Sequence, residues 1–356
     1  MKLLHRYVIK RLTVMSLYSL LALLALYSFF DFVSEVGNLG DGNYTGFKMA
    51  QYIVYQIPAH AYELMPLAAL IGGLIALNQL ASGSELTVIK TSGMSTRTII
   101  GMVLSFGLIF AIATALLGEW GAPTASKSAA NLKAQAIDGK ISTGRTGLWI
   151  KETNNIINVR EMLPDQTLLG IKVWRHDDQF QLVESMQAES ASVSDNNSWQ
   201  LNNVKRSVLG DARVHTESAT TENWQSGIQR SLLGVLLVDP EQMSVSALTT
   251  YIQHLKTNNQ QTKQYEIAWW RKLMYPIAVL VMALVALAFT PQSTRHGNMG
   301  LKLFFGICLG LAFHFAGRLF GFTSQLYGVP PIIAAILPTL LFALLAVYLI
   351  RKQEKR

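Results

Sequence analysis

Six stretches of this chain are apolar over a length that crosses a bilayer, or nearly so: Leu12–Phe30, Leu64–Leu80, Thr98–Leu117, Leu273–Thr290, Leu301–Phe322 and Val329–Ile350. A helix needs about 20 apolar residues to cross the hydrocarbon layer, so the pattern predicts six transmembrane helices. Between the third and fourth the texture changes. Leu148-Trp149-Ile150, Asn155–Val159, Ile171–Trp174, Phe180–Val183, Trp199–Val204 and Val208–Val214 are short runs with partial alternation. Polar turns such as His176-Asp177-Asp178 and Asp195-Asn196-Asn197-Ser198 separate them. Such spacing predicts an antiparallel β-sandwich, jelly roll or half-open barrel. Ser244–Lys256, with Leu248, Ile252 and Leu255 at helical spacing, returns the chain to the membrane. The predicted fold class is an α-helical membrane protein with an inserted all-β, jelly-roll-like domain. Its parts are a membrane half over 1–123, the β-domain with its return helix over 124–265, and a second membrane half over 266–356.

Shorter signals refine this frame. Met1–Arg11 interleaves Lys2, Arg6, Lys10 and Arg11 with Leu3, Leu4, Tyr7, Val8 and Ile9, the pattern of an interfacial helix before the chain turns inward. Gly37–Gly46 reads as a polar loop, and Tyr52–Pro58 as an aromatic interfacial segment. Pro66 and Gly72-Gly73 predict a bend or a close neighbour in the second span. Between the second and third spans lies Ala81–Arg97. There Ser82 or Ser84 can cap a short helix over about 82–96, Leu86, Ile89 and Met94 share a face, and Gly93 supplies a stop. Periodicity leaves two readings of it, a solvated loop or a handle for a soluble partner.

Charge sets the orientation. The chain has 356 residues, half apolar and 15% charged, with a formal net charge of +8. Residues 118–265 hold 14 basic and 15 acidic side chains, so the excess lies around the apolar runs rather than in a basic patch on a folded domain, and no nucleic-acid partner is indicated. Six crossings put both termini on one side, with the loops holding Lys90, Arg97, Arg295 and Lys302. That face carries 12 basic and 2 acidic residues, which predicts that it is cytoplasmic and that residues about 118–265 are periplasmic. The first apolar run lacks an A-x-A site and reads as a retained span. The one cysteine, Cys308, excludes an intramolecular disulfide.

The sequence carries little chemistry of its own. Gly139-Lys140 lacks the upstream glycine of a phosphate loop, the seven histidines show no metal-ligand spacing, and no G-x-S-x-G occurs. An enzyme, a cofactor and a metal are therefore not expected. What remains is a transporter subunit, a channel or a membrane scaffold.

Met65-Pro66-Leu67-Ala68-Ala69-Leu70, Ser84-Glu85-Leu86, Gly118-Glu119-Trp120-x-x-Pro123, Ala134-Gln135-Ala136 and Tyr327-Gly328-Val329-Pro330-Pro331 occur in that order. Together they resemble the LptF/LptG family of lipopolysaccharide-transporter permeases, and the last motif favours its LptG branch. The resemblance covers essentially the whole chain. It implies an ABC-type machine of the bacterial inner membrane that extracts lipopolysaccharide from the outer leaflet. Its other members would be a second, LptF-like permease and two copies of an LptB-like ATPase holding ATP and magnesium. An LptA-like periplasmic bridge and a single-span, LptC-like regulatory subunit would complete it. Competing readings are a permease for another lipid or a lipoprotein, and a scaffold without transport. Four-span permeases with a domain after the first span fit less well, because here the insert follows the third of six.

Carried over residue by residue, the resemblance makes Glu85 the coupling acid and puts Leu86, Val88 and Ile89 in the ATPase groove. The alternative for Glu85 is a solvated first-turn acid favoured by the helix dipole. Exposing acyl chains to water costs ~0.8 kcal/mol per CH₂, so the cargo needs a continuous apolar route. Leu20, Leu24, Tyr27 and Phe30 in the first span and Phe304, Phe305, Leu311 and Phe315 in the fifth are candidates for its wall, or else ordinary packing. Trp149, Ile171, Val173 and Trp199 are candidates within the insert. Lys133, Arg271, Lys272 and Arg318 are candidates for lipid phosphate, or else snorkelling anchors. Asp31 stands where some family members carry lysine, which shifts the phosphate role toward Arg318.

Overall fold

The computed structural model describes residues 2–137, 141–142, 147–162, 167–193, 198–210, 213–226, 239–290 and 299–354. The turn at 195–197, Gly139-Lys140, Arg295 and the side chain of Lys302 lie outside this description. Two compact units result: Met1–Asp31, Gln56–Pro123 and Lys263–Arg356 form the first, and Phe32–Tyr55 with Thr124–Thr262 the second.

The described helices are α1 (Lys2–Glu35), α2 (Gly46–Ser82), α3 (Glu85–Thr91), α4 (Thr96–Leu116), α5 (Ala122–Ile137), α6 (Val245–Thr257), α7 (Lys263–Ala288), α8 (Met299–Tyr327) and α9 (Pro331–Glu354). Six helical stretches are long and apolar enough to cross a membrane, with a π-turn at Leu117–Gly121 joining α4 and α5 into one of them. Two differ from expectation. The basic amino-terminal segment does not turn off as a separate interfacial helix but continues into α1 without a break. Val8 and Leu12 there are buried, and that packing holds the segment in line with the span. The aromatic segment Tyr52–Pro58 belongs to α2, which starts at Gly46 and tolerates both Pro58 and Pro66.

The first unit is organised on α2. Its residues Leu64–Leu80 pack with Ile99–Phe110 of α4 and Ala278–Leu287 of α7 in one apolar core. Small residues set the approach: a side chain at Gly72 would strike the Ser16 backbone of α1, and Gly107 packs on Leu280 and Ala283. Without a hydrophobic drive between helices in lipid, such close backbone contact supplies the association. The outer faces of α1, α8 and α9 stay apolar and exposed, as a lipid-facing surface should.

In the second unit seven antiparallel strands form one sheet: β1 (Ile141–Ser142), β2 (Leu148–Glu152), β3 (Asn155–Met162), β4 (Leu168–His176), β5 (Leu182–Val193), β6 (Ser198–Leu209) and β7 (Val214–Gln225). β3 to β7 pair in sequence order, while β1 and β2 both pair with β3. One face, with Ile157, Val159, Ile171, Met186, Ala191, Trp199 and Leu201, forms the core. The sheet rolls so that its ends meet: Ser226 after β7 donates to Glu152 of β2 at 3.2 Å. Leu248 and Leu255 of α6 are buried, and Asn258 at its end accepts from the Thr153 backbone at 3.1 Å. A separate small core joins Tyr44, Met49 and Ala136.

Candidate functional site

Three places carry the candidate residues. The first is α3. Ser84, at φ 60°, and Gly93, at φ 88°, form left-handed turns that bracket it, the latter at the stop expected from glycine. Glu85 opens the helix and meets Arg11 of α1 at 3.0 Å, and Arg11 also donates to the Tyr7 hydroxyl. Leu86 (8% exposed) and Ile89 (7%) face the chain's own interior, Ile89 in the core that also holds Val8, Leu12 and Leu80. Val88 is 63% exposed. Among the described side chains of α3, Val88 and Thr91 are thus exposed and Glu85 is partly open. Sequence periodicity alone could not separate these from the face used internally.

The second is a polar cluster where α1, α2 and α8 converge. Asp31 of α1 meets His60 Nε2 of α2 at 2.7 Å, and the Tyr27 ring lies 5.2 Å from that imidazole. One turn on, Glu63 meets Arg318 at 3.3 Å and His314 at 3.9 Å, both from α8. Sequence reasoning singled out Asp31 and Arg318 but missed His60 and Glu63. The signal was the spacing of the two, three positions apart just before an apolar run. Ionisable groups inside a span pair because an isolated charge there is costly. Asp31 thus has the His60 ring as a hydrogen-bonding partner, and Arg318 is a half-exposed cation with an anion at its back.

The other proposed phosphate cations all have partners in the chain. Lys133 reaches the buried Glu35 carboxylate at 2.6 Å, which also accepts from Asn38 and Tyr44, and its ammonium lies 5.1 Å from the Tyr52 ring centre. Burial first, then the charge of Glu35, push the Tyr44 hydroxyl above its ordinary range, so it remains a donor. Arg271 donates to the Gly317 carbonyl at 2.9 Å, and Lys272 is buried with its ammonium 5.4 Å from the Tyr62 ring centre.

The proposed lipid wall divides in two. Leu20 is buried, and Leu24 and Tyr27 pack against the core. Phe30, Phe304, Phe305, Leu311 and Phe315 are exposed on α1 and α8, Phe315 at 66%.

The third place is the inner face of the sheet. Ile171, Val173 and Trp199 are buried there, but Trp149 is not. In β2 the inward position goes to Ile150, so strand alternation turns Trp149 outward, where it stacks on Trp174 at 5.5 Å. At one end of this face Arg175, Glu184, Arg206 and Glu222 form an ion-pair ladder across β4 to β7, next to a small cavity also lined by Met186 and Trp224. Among the described residues no group of acids, histidines and cysteines has the arrangement of a metal site.

This combination of six spans, a short helix between the second and third, and a rolled sheet between the third and fourth can be compared with known proteins. Residues 6–352 match the sequence profile described as "Lipopolysaccharide export system permease LptF/LptG". The LptG permease of Haemophilus influenzae is 32% identical over 319 residues, 89% of each chain. That of Escherichia coli K12 is 31% identical over 318 residues, 88% of each chain. Matched from end to end, spans and insert alike, the chain belongs to the LptF/LptG family.

Proposed function

We propose that this chain is the LptG-type permease of a lipopolysaccharide exporter in the inner membrane, with both termini cytoplasmic and residues about 118–265 periplasmic. The observation that carries the reading is α3. It is a short helix between two spans, seated on the chain's own core by Leu86 and Ile89, with Val88 and Glu85 left facing out. A chain without a phosphate loop needs such a handle to receive work from a separate ATPase. Two ATPase copies, a second permease and a periplasmic bridge complete the machine in this reading.

Lipopolysaccharide leaves the outer leaflet along the exposed apolar faces of α1 and α8, where Phe30, Phe304, Phe305, Leu311 and Phe315 meet its acyl chains. Arg318 meets an anionic headgroup by exchanging Glu63 for phosphate. The inner face of the sheet then offers the acyl chains an apolar bed. The test is co-purification with the cognate ATPase and measurement of detergent-solubilised ATP hydrolysis. Glu85→Lys and Val88→Asp should each lose the ATPase at least tenfold. Retention of full association and transport by both variants would remove α3 from the coupling, and a wild-type chain that brings no ATPase would be a scaffold.

A further inference from the structure

The first unit contains helix irregularities that stand at one level. Proline removes the bond to the carbonyl four residues before it and crowds that carbonyl. Pro66 therefore opens the α2 ladder at Tyr62, and Pro276 opens the α7 ladder at Lys272. These two residues touch, the Lys272 ammonium lying 5.4 Å from the Tyr62 ring centre. The π-turn of the α4 span, Leu117–Gly121, reaches the same place. A Cβ at Gly118 would sit 2.6 Å from the Tyr62 ring, and Glu119 supplies the charge opposing Lys272. Tyr275 stacks on Tyr62 at 4.9 Å, and its hydroxyl donates at 2.7 Å to the Glu63 carbonyl, one residue beyond the opened bond. The remaining in-helix prolines, Pro58 and Pro338, open their ladders at Val54 and Ala334 and take no part.

One proline kink can be a packing accident. Three adjacent helices broken at a common level are different, because each can bend there without stretching a ladder bond and none is held straight by its neighbour. Sharp kinks, π-turns and hinge motions are associated with such breaks. On the side toward α3, α2, α4 and α7 share a buried apolar core whose interlocked side chains resist deformation. The contacts at the break are ring stacking and cation–π contact, which tolerate sliding better than interdigitated aliphatic side chains do.

We propose that the Tyr62–Gly118–Lys272 level is a hinge. About it the core next to α3 swings as a block against Gln56–Tyr62, Lys263–Lys272 and Gly118–Pro123. Its role in transport rests on the functional reading above, whereas the hinge itself is a property of the chain alone. The two are tested by separate measurements.

In a Cys308→Ser background, spin labels at Leu108 of α4 and Gln264 of α7 report the separation across the level in nanodiscs. Both positions are exposed. The wild-type chain should give a broad or two-peaked distance distribution. Pro66→Ala with Pro276→Ala restores both ladder bonds and should narrow it to one peak, while Pro58→Ala should leave it broad. Alanine favours a helix interior over proline, so the double variant is expected to fold. Gly118→Ala, which jams the Tyr62 ring, is a second route to the narrow state. In the assembled exporter the double variant should hydrolyse ATP within twofold of wild type and release lipid at least tenfold more slowly. A narrow distribution in wild type, or one that Pro66→Ala/Pro276→Ala does not narrow, overturns the hinge. Wild-type lipid release by a double variant with a narrowed distribution overturns its role in transport. An assembly that neither hydrolyses ATP nor releases lipid refutes the functional reading and leaves the distance result to decide the hinge.

Discussion

Lys133 shows how a single residue can be read two ways. In sequence it is a cation after the third span, suited to phosphate. In the structure it closes a buried set in which Glu35 accepts from Lys133, Asn38 and Tyr44. Removing one partner of a buried ion pair costs about 3–5 kcal/mol when both are fully enclosed. Lys133 is about a third exposed, so Lys133→Met should cost roughly 3 kcal/mol, the lower end of that range. Thermal melting in detergent checks this, and Glu35→Gln combined with Lys133→Met should recover part of the loss. A phosphate-binding role alone would change lipid affinity and leave melting untouched. No sequence rule predicts this pairing, because the partners are far apart in the chain and the acid has no local signature.

At the level of elements, the spans are legible in the sequence, whereas three of the seven strands, β1, β5 and β7, are not. Uninterrupted apolarity marks a helix in lipid without reference to any neighbour, and all six spans follow from it. A strand at the edge or mouth of a rolled sheet has no such mark. β7 is exposed from Val214 to Thr221, so its sequence, V-H-T-E-S-A-T-T, alternates nothing. β5 is interrupted in the same way, its buried positions changing parity between Ala188 and Ala191. The expected run Val208–Val214 instead straddles the end of β6 and the start of β7. The polar character of β7 also disfavours uncontrolled pairing of an exposed edge. The return helix α6 was readable from Leu248 and Leu255, and it carries a pH dependence. Burial lowers the affinity of His254 for a proton, so the folded unit keeps it neutral whereas the unfolded chain protonates it below about pH 6.5. Stability from this group is flat above that value and falls as pH drops through it. Melting of the full-length protein between pH 5 and 8 should show the decline, and His254→Gln should reduce it.

Over the whole molecule, the proposed orientation predicts which side of the membrane each exposed residue can be reached from. A cysteine placed at the exposed Glu217 of β7, with Cys308 replaced by serine, should react with a membrane-impermeant maleimide added to spheroplasts. Labelling only after lysis would invert the assignment of sides and with it the energy input. Of the candidate site, the apolar stretches and the short segment that becomes α3 can be read from the sequence. It could not show which flank of α3 is occupied from within, nor that Arg318 already has Glu63.

Because α1 is unbroken, Arg11 and Asp31 stand about 30 Å apart along one axis, at 1.5 Å per residue. The hydrocarbon layer is about 30 Å thick. The stretch between them matches that thickness, so α1 lying across the layer would act as a ruler with a charge at each edge. Two turns fewer would bring one of them inside, where it costs roughly 2.5–3.5 kcal/mol on insertion scales. Length in this element is under a tighter constraint than the identity of most of its lipid-facing side chains.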